Sequence, residues 1–253
     1  MKIVCLIKFV PDVEEDSTNR ILNPDDACAL AYALMIKRRN PETIIEVVTM
    51  APRTVMGHLE DLLRLNVDLA TLISDKAFGG SDTWATTRIL ARYLQQTNYD
   101  VILTGTHSVD GDTAQVPSQL AEICDLPQMS NILAIEAGSF LAGKPEIEVD
   151  NDSSIQTFQV ELPAILSVHK DSSYKLPYVA YQDLNRDVSS QVRVLTNLEL
   201  GFLPEEVGLE GSKTQVNRTF VQKWSKEEKL IVQNDEDGIE TVYGYLKKNG
   251  FLL

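Results

Sequence analysis

The sequence predicts an α/β fold: a parallel sheet covered by helices on both faces, with an antiparallel extension and a C-terminal arm. Three observations lead there. In the first half of the chain, short near-continuous apolar runs alternate with stretches whose apolar residues recur at helical spacing, the pattern of strands buried on both faces between covering helices. Beyond Pro127 the runs shorten, and several alternate apolar and polar residues with period two, as half-exposed strands do. Beyond Tyr174 periodicity fades until one last amphipathic stretch.

Taken in order, Lys2 to Val10 reads as a buried strand, and Asn23-Pro24-Asp25-Asp26 opens a helix running to about Arg39. Asn23 suits the cap, Pro24 the first helical position, and the two aspartates the positive end of the helix dipole. Thr43 to Met50 is the next strand, Thr54 to Asn66 a second helix, and Leu69 to Ile73 a third strand. Ser81 and Asp82 are capping candidates for a helix with Trp84, Ile89, Leu90, Tyr93 and Leu94 on one side. A strand from Val101 to Gly105 and a helix from about Gln115 to Asp125 complete the alternation. The runs NILAIEA, LAG, PEIEVD, IQTFQVEL and AILSVH then predict an antiparallel section attached to the sheet. Lys175 to Gly211 lacks strong periodicity. GIETVYGYLKKNG, with Ile239, Val242, Tyr243 and Leu246 in register and Gly250 closing it, predicts a helix. An arm of this kind needs a partner surface.

Charge and special residues exclude several classes. A formal charge of −14, with no basic run beyond Lys37-Arg38-Arg39, argues against nucleic-acid binding. The apolar stretch at the start is interrupted by Lys8 and closed by Pro11-Asp12, too short for a signal or membrane segment, so a cytoplasmic protein is expected. Cys5, Cys28 and Cys124 form no CxxC and are odd in number, which suits reduced core thiols. His58 and His169 lack partners for metal or triad chemistry, so neither a metal site nor a catalytic side chain is expected.

Ligands of open parallel sheets sit beyond the carboxyl ends of the strands. The loops to inspect are therefore Phe9 to Asn23, Met50 to Thr54, the one before Ser81, and Gly105 to Gln115. The last, TGTHSVDGDTAQ, joins a buried strand to a helix. Gly105 and Gly111 permit close approach of backbone to a phosphate, and the N–H groups near Thr113, Ala114 and Gln115 point outward at a helix start. The other reading of the same residues is a solvated turn in which Asp110 and Asp112 act as turn and cap. No Walker or GxGxxG motif decides between them.

Four separate blocks in order resemble one family. KIVCLIKFVPD resembles the KxVPD opening of electron transfer flavoprotein beta subunits, and LNPDDACALAYALMIK their helix entry. LTGTHSVDGDTAQVPSQLAEICDLPQ resembles their GxQAxDxDxxQ stretch, and SSIQTFQVELPAILSV their paired strands ending in LPA. The resemblance runs from residue 1 to about 170. It implies a Rossmann-like (flavodoxin-like or HUP-type) nucleotide-binding domain over residues 1–185 and an arm over 186–253 that packs on a larger alpha subunit. The nucleotide-contacting positions it implies are Leu6, Asn23, Pro24, Asp25, Asp26, Met50, Gly105, Thr106, His107, Ser108, Val109, Asp110, Gly111, Asp112, Thr113, Ala114, Gln115 and Val116. Phe9 replaces a usual Arg, His107 a usual Gln and Val149 a commonly basic residue, while the arm keeps only Leu176-Pro177 of the family's recognition loop.

The wording VDGDTAQVP, with GGSDTWAT upstream, resembles the electron-bifurcating branch of that family rather than the members that hold AMP structurally. That implies FAD in this chain, NADH as transient donor, ferredoxin or flavodoxin as one electron acceptor, and a flavin-dependent dehydrogenase reached through the alpha-subunit FAD as the other. NADH oxidation then belongs to the alpha/beta heterodimer. A non-bifurcating subunit with AMP is the alternative. A nucleotide-binding sensor of the universal-stress type is a third reading, which the long C-terminal extension and the LPA and NPDD blocks disfavour.

Overall fold

The computed structural model describes residues 1–12, 19–215 and 231–252. The chain divides into two units, Met1–Gln215 and Val216–Leu253. The first contains β1 (Lys2–Leu6), β2 (Phe9–Pro11), β3 (Arg20–Leu22), α1 (Pro24–Arg39), β4 (Ile44–Met50), α2 (Met56–Leu63), β5 (Leu69–Ile73), α3 (Thr83–Leu94), β6 (Val101–Gly105), α4 (Gln115–Cys124) and β7 (Gln128–Ile135). It continues through α5 (Ala137–Leu141), β8 (Glu146–Asp150), β9 (Ile155–Gln159), β10 (Ile165–Val168), β11 (Val192–Leu195), α6 (Asn197–Leu200) and α7 (Gly208–Gly211). The second unit holds α8 (Glu236–Lys248), capped by Asp235 and followed by Gly250 at positive φ.

Nine strands form one sheet in the order β11-β5-β4-β1-β6-β10-β7-β8-β9. Every pair from β11 to β7 is parallel, and β7, β8 and β9 are antiparallel. The mostly parallel sheet with a short antiparallel extension is the fold expected of the sequence. AILSVH differs from expectation: its strand, β10, is not part of the antiparallel section but lies parallel between β6 and β7. All four of its residues, Ser167 included, are buried, which marks a strand covered on both faces. The predicted β-like run LAG is instead the end of α5 and a turn, because Glu136 caps that helix by accepting from the N–H groups of Gly138 and Ser139. Thr54 to Asn66 begins as a tight turn at Arg53–Val55 before α2. Lys2 to Val10 breaks after Leu6, and Phe9–Pro11 pairs with Arg20–Leu22 in a separate two-stranded ribbon. The boundary expected after residue 185 falls within the first unit, where VRVL (β11) adds an edge strand to β5.

Strand alternation divides the core into two layers. Ile3 and Cys5 face α1 and α2, with Leu30, Leu34, Leu59 and Leu63, whereas Val4 and Leu6 face α3 and α4, with Ile89, Leu90 and Leu120. Burial pushes the Cys5 thiol far above its ordinary pKa, as suits a core residue. At the other end of the sheet β9 (IQTFQ) is exposed at all five positions and carries no charge.

One polar cluster is built into the sheet. Glu46 of β4 pairs with Lys2 at 2.7 Å and accepts hydrogen bonds from Thr71, at 2.7 Å, and from Tyr93. Burial pushes its pKa up, but the hydrogen bonds from Lys2, Tyr93 and Thr71 outweigh that and hold it below the ordinary value. A depressed folded pKa contributes stability above the unfolded value that is lost as pH falls through the folded one. Glu46→Gln is therefore expected to cost about 1–3 kcal/mol near neutrality. The gap from the wild type should narrow below about pH 4, near the unfolded carboxylate pKa, as read by urea unfolding at several pH values.

Candidate functional site

The first half of the chain moves outward from β1 through β4 to β5, with α1 and α2 on one face. After α3 crosses to the opposite face, β6 returns to the other side of β1. The strand order thus reverses between β1 and β6, and their carboxyl ends diverge into a crevice, the usual ligand position of such sheets. Leu6, Met50 and Gly105 are the last residues of β1, β4 and β6, and all three line a cleft of about 420 Å³. That is within the range of roughly 300–1,000 Å³ usual for small-molecule sites.

The NPDD block shapes this crevice by holding two loops together. Asn23 stands at the N-cap of α1, but its side chain makes no cap hydrogen bond. It donates to the carbonyl of His107 at 2.6 Å and accepts from the N–H of Val109 at 3.2 Å. Asp25 accepts from the N–H of His107 at 2.9 Å. Asp26 bridges two strand ends, accepting from the N–H of Lys8 and of Gly105, each at 2.8 Å. Burial drives the Asp26 pKa up to about 7, against the pull of those N–H donors and of Asn23, and neighbouring Asp25 adds to the rise.

Gly105 serves this packing. A Cβ there would sit 2.6 Å from Cβ of Asp25 and 2.8 Å from N of Asp26, so its missing side chain admits α1 rather than a ligand. Gly111 has no such demand, with Ser108 Oγ its nearest neighbour at 3.6 Å. The loop between β6 and α4 is tied down further along. Asp110 pairs with Lys8 at 2.7 Å, and His107 Nδ1 lies 3.1 Å from Asp112 Oδ1. Burial raises the Asp110 pKa, but the Lys8 hydrogen bond and charge outweigh it and keep it below the ordinary value. Asp112 and Ala114 both take positive φ, 46° and 51°, an uncommon conformation for residues with a Cβ.

The cleft is lined by both apolar and polar groups. Leu6, Met50, Leu90, Val116 and Pro117 supply its apolar lining, and the starts of α3 and α4 both open onto it. These two helix starts differ. Asp82 caps α3, accepting from Ala85 N–H at 2.9 Å, whereas Ala114 gives α4 no side-chain cap. Hydrogen bonds from Thr83 to Gln115 and from Thr87 to Gln119, at 2.8 and 2.9 Å, tie the two helices together. The free N–H groups and positive dipole end of α4 favour an anion.

Of the residues predicted from sequence, Leu6, Asn23, Asp26, Met50, Gly105, Thr106, His107, Ser108, Gly111, Thr113, Ala114, Gln115 and Val116 line the cleft. Pro24, Asp25, Val109, Asp110 and Asp112 do not. Pro24 begins α1 and the other four hold the loop. Trp84 stays outside the lining. Sequence reasoning missed Ile7, Lys8, Val48, Ser81, Asp82, Thr83, Thr86, Leu90, Thr104 and Pro117 as lining residues. Ser81 to Thr86 carried a signal, since GGSDTWAT leads from the loop after a strand into the start of a helix. Val48 and Leu90 carried none, because apolar lining reads as core.

Among the described residues no group of three or more His, Cys, Asp or Glu is placed to hold a metal ion, and no helix is long and apolar enough to cross a membrane. The sequence profile described as "Electron transfer flavoprotein domain" matches residues 12–192. The chain is 34% identical over 233 residues, 87% of each chain, to "Caffeyl-CoA reductase-Etf complex subunit CarD" of Acetobacterium woodii. It is 32% identical to "Protein FixA" of Azotobacter vinelandii, over 86% of this chain and 79% of that one. With "Electron transfer flavoprotein subunit beta" of Thermoanaerobacterium thermosaccharolyticum it shares 28% identity over 96% of both. A crevice at the point of strand reversal, lined by the residues that carry the sequence blocks, and matches of this extent lead to one conclusion: the chain belongs to the electron transfer flavoprotein family, as a beta-type subunit.

Proposed function

We propose that the cleft between β1 and β6 binds FAD, and that with an alpha subunit this chain takes electrons from NADH and divides them between ferredoxin or flavodoxin and a flavin-dependent dehydrogenase. The observation that carries the reading is the uncapped start of α4 at a cleft that also has apolar lining. A dinucleotide needs both: N–H donors for its phosphates and apolar walls for its adenine. When bound, the flavin supplies the hydride and electron chemistry, and no acid or base from the protein is required.

The chain's own residues bind and orient. The N–H groups of Gln115 and Val116 hold phosphate at the start of α4, while Leu6 and Met50 cover an apolar part of the ligand. Asn23, Asp25 and Asp26 fix the loop that carries Ser108 and Thr113 to the cleft. The Lys8–Asp110 pair clasps that loop against the end of β1. Within the expected arm, α8 is proposed to pack on the alpha subunit, and the exposure of Ile239, Val242, Tyr243 and Tyr245 supports a partner there. The likeness to the Acetobacterium woodii protein, a subunit of a caffeyl-CoA reductase complex, supports a place beside a dehydrogenase. A cytoplasmic setting fits these soluble-protein partners.

Counting nucleotides released from the co-expressed heterodimer tests this. Two flavins per heterodimer and no AMP are expected, with NADH rapidly bleaching one flavin. One FAD with one AMP, inert to NADH, would replace the proposal with a structural-AMP subunit.

A further inference from the structure

The start of α3 is fastened to two parts of the molecule at once. Asp82 divides its carboxylate between them. Oδ1 accepts from the Ala85 N–H at 2.9 Å and so caps α3, while Oδ2 accepts from the N–H and the hydroxyl of Thr214 at 2.8 and 2.9 Å. The Asp82 N–H donates to Ser212 Oγ at 2.8 Å, and that hydroxyl donates to the Gly208 carbonyl at 2.7 Å. Ser81 Oγ accepts from the Gly208 N–H at 3.1 Å. Burial raises the Asp82 pKa, but the hydrogen bonds from Ala85 and Thr214 outweigh it and hold it below the ordinary value, so the carboxylate accepts through both oxygens at neutral pH.

Residues 208–214 are closely seated against this helix start. Gly208 takes a φ of 62°, and a Cβ on it would run into the carbonyl oxygen of Ala77. Glu206, just before, pairs with Arg88 of α3 at 2.8 Å. Lys213 and Thr214 nevertheless lie exposed, and hydrogen bonds at a surface open locally at little cost. The chain leaves the first unit just beyond, at Gln215, and continues to α8, the helix proposed to pack on the alpha subunit.

The attachment is passed on to the cleft. Ser81, Asp82, Thr83 and Thr86 line it, whereas Ser212 and Thr214 do not. Thr83 donates to Gln115, the first residue of α4, at 2.8 Å. A continuous series of contacts thus runs from Thr214 through Asp82 and the first turn of α3 to the uncapped start of α4.

We infer that Asp82 is a positioning residue that couples residues 208–214 to the cleft. With that segment seated, Asp82 holds the first turn of α3 where Thr83 and Thr86 face the nucleotide. With it released, the turn loosens and the nucleotide is held less firmly. Such coupling is reciprocal, so an occupied cleft also keeps the segment seated. The inference rests on the proposed nucleotide cleft, but not on whether its occupant is FAD or AMP.

The test uses the heterodimer purified with its resident nucleotide. On dilution, S212A/T214V should release that nucleotide at least fivefold faster than the wild type, although neither changed residue lines the cleft. Asp82→Asn keeps an oxygen to cap α3 but replaces the acceptor for Thr214 with a donor. Taking a negative charge out of the cleft would by itself strengthen phosphate binding. Faster release in Asp82→Asn, also at least fivefold, therefore reports positioning and not charge. Hydrogen exchange at residues 208–214 should be slower in the loaded heterodimer than in one stripped of nucleotide. Wild-type release from S212A/T214V, slower release from Asp82→Asn, or exchange indifferent to the nucleotide would overturn the inference. AMP among the released nucleotides would replace the FAD reading and leave the coupling standing, and a heterodimer that holds no nucleotide would overturn both.

Discussion

Gly105→Ala is expected to destabilise the first unit by about 3 kcal/mol or more, at the upper end of what overpacking costs. The new methyl would lie 2.6 Å from Cβ of Asp25 and 2.8 Å from N of Asp26. Both belong to the first turn of α1, and that turn is held by the hydrogen bond from Gly105 N–H to Asp26. Relief requires moving either a buried helix or the end of a central strand, and close-packed interiors resist both. Native stabilities are about 5–15 kcal/mol, so urea unfolding should show a large shift in midpoint. Gly111→Ala is the control. Its Cβ would meet only Ser108 Oγ, at 3.6 Å, and a change within about 0.5 kcal/mol is expected. Equal midpoints for the two variants would mean that Gly105 does not serve to admit α1.

Asn23→Ala should act on the cleft more than on the fold as a whole. It removes the donor to the His107 carbonyl and the acceptor for the Val109 N–H in one step. Leaving part-buried backbone groups unanswered costs about 1–3 kcal/mol each. The loop can avoid that cost by lifting into water, which carries Ser108, Gly111 and Thr113 away from the cleft. The expected result is a loss of at least tenfold in retained nucleotide, measured on the purified heterodimer, with a smaller fall in melting temperature. Asn23→Asp keeps the acceptor but loses the donor and adds a charge beside the buried Asp26, so it should rescue little. Wild-type nucleotide content in Asn23→Ala would show that the loop is positioned without Asn23.

What the sequence disclosed and what it hid follow from the range of the interactions concerned. Leu6, Met50 and Gly105 were legible because they end apolar runs, and strand ends in parallel sheets are where ligands sit. The loop from Gly105 to Val116 was legible from its small, turn-forming residues and from its resemblance to a family pattern. Val48 and Leu90 were hidden, since an apolar side chain facing a cleft looks the same in sequence as one facing the core. The parallel insertion of Ile165–Val168 was hidden too. Its burial was written in its composition, but its neighbours, β6 and β7, are set by pairings far apart along the chain. VRVL and RIL were too short to register as strands. Asn23 was expected to cap its own helix and instead serves a loop 84 positions away.

The uncharged strand Ile155–Gln159, exposed at every position, bears on how the protein can be made. It ends the sheet with a row of backbone donors and acceptors and none of the lysines, prolines or bulges by which free edges are usually protected. A chain released from the ribosome alone therefore carries a template for adding strands from its own copies, and the yield of the lone polypeptide should fall as its concentration rises.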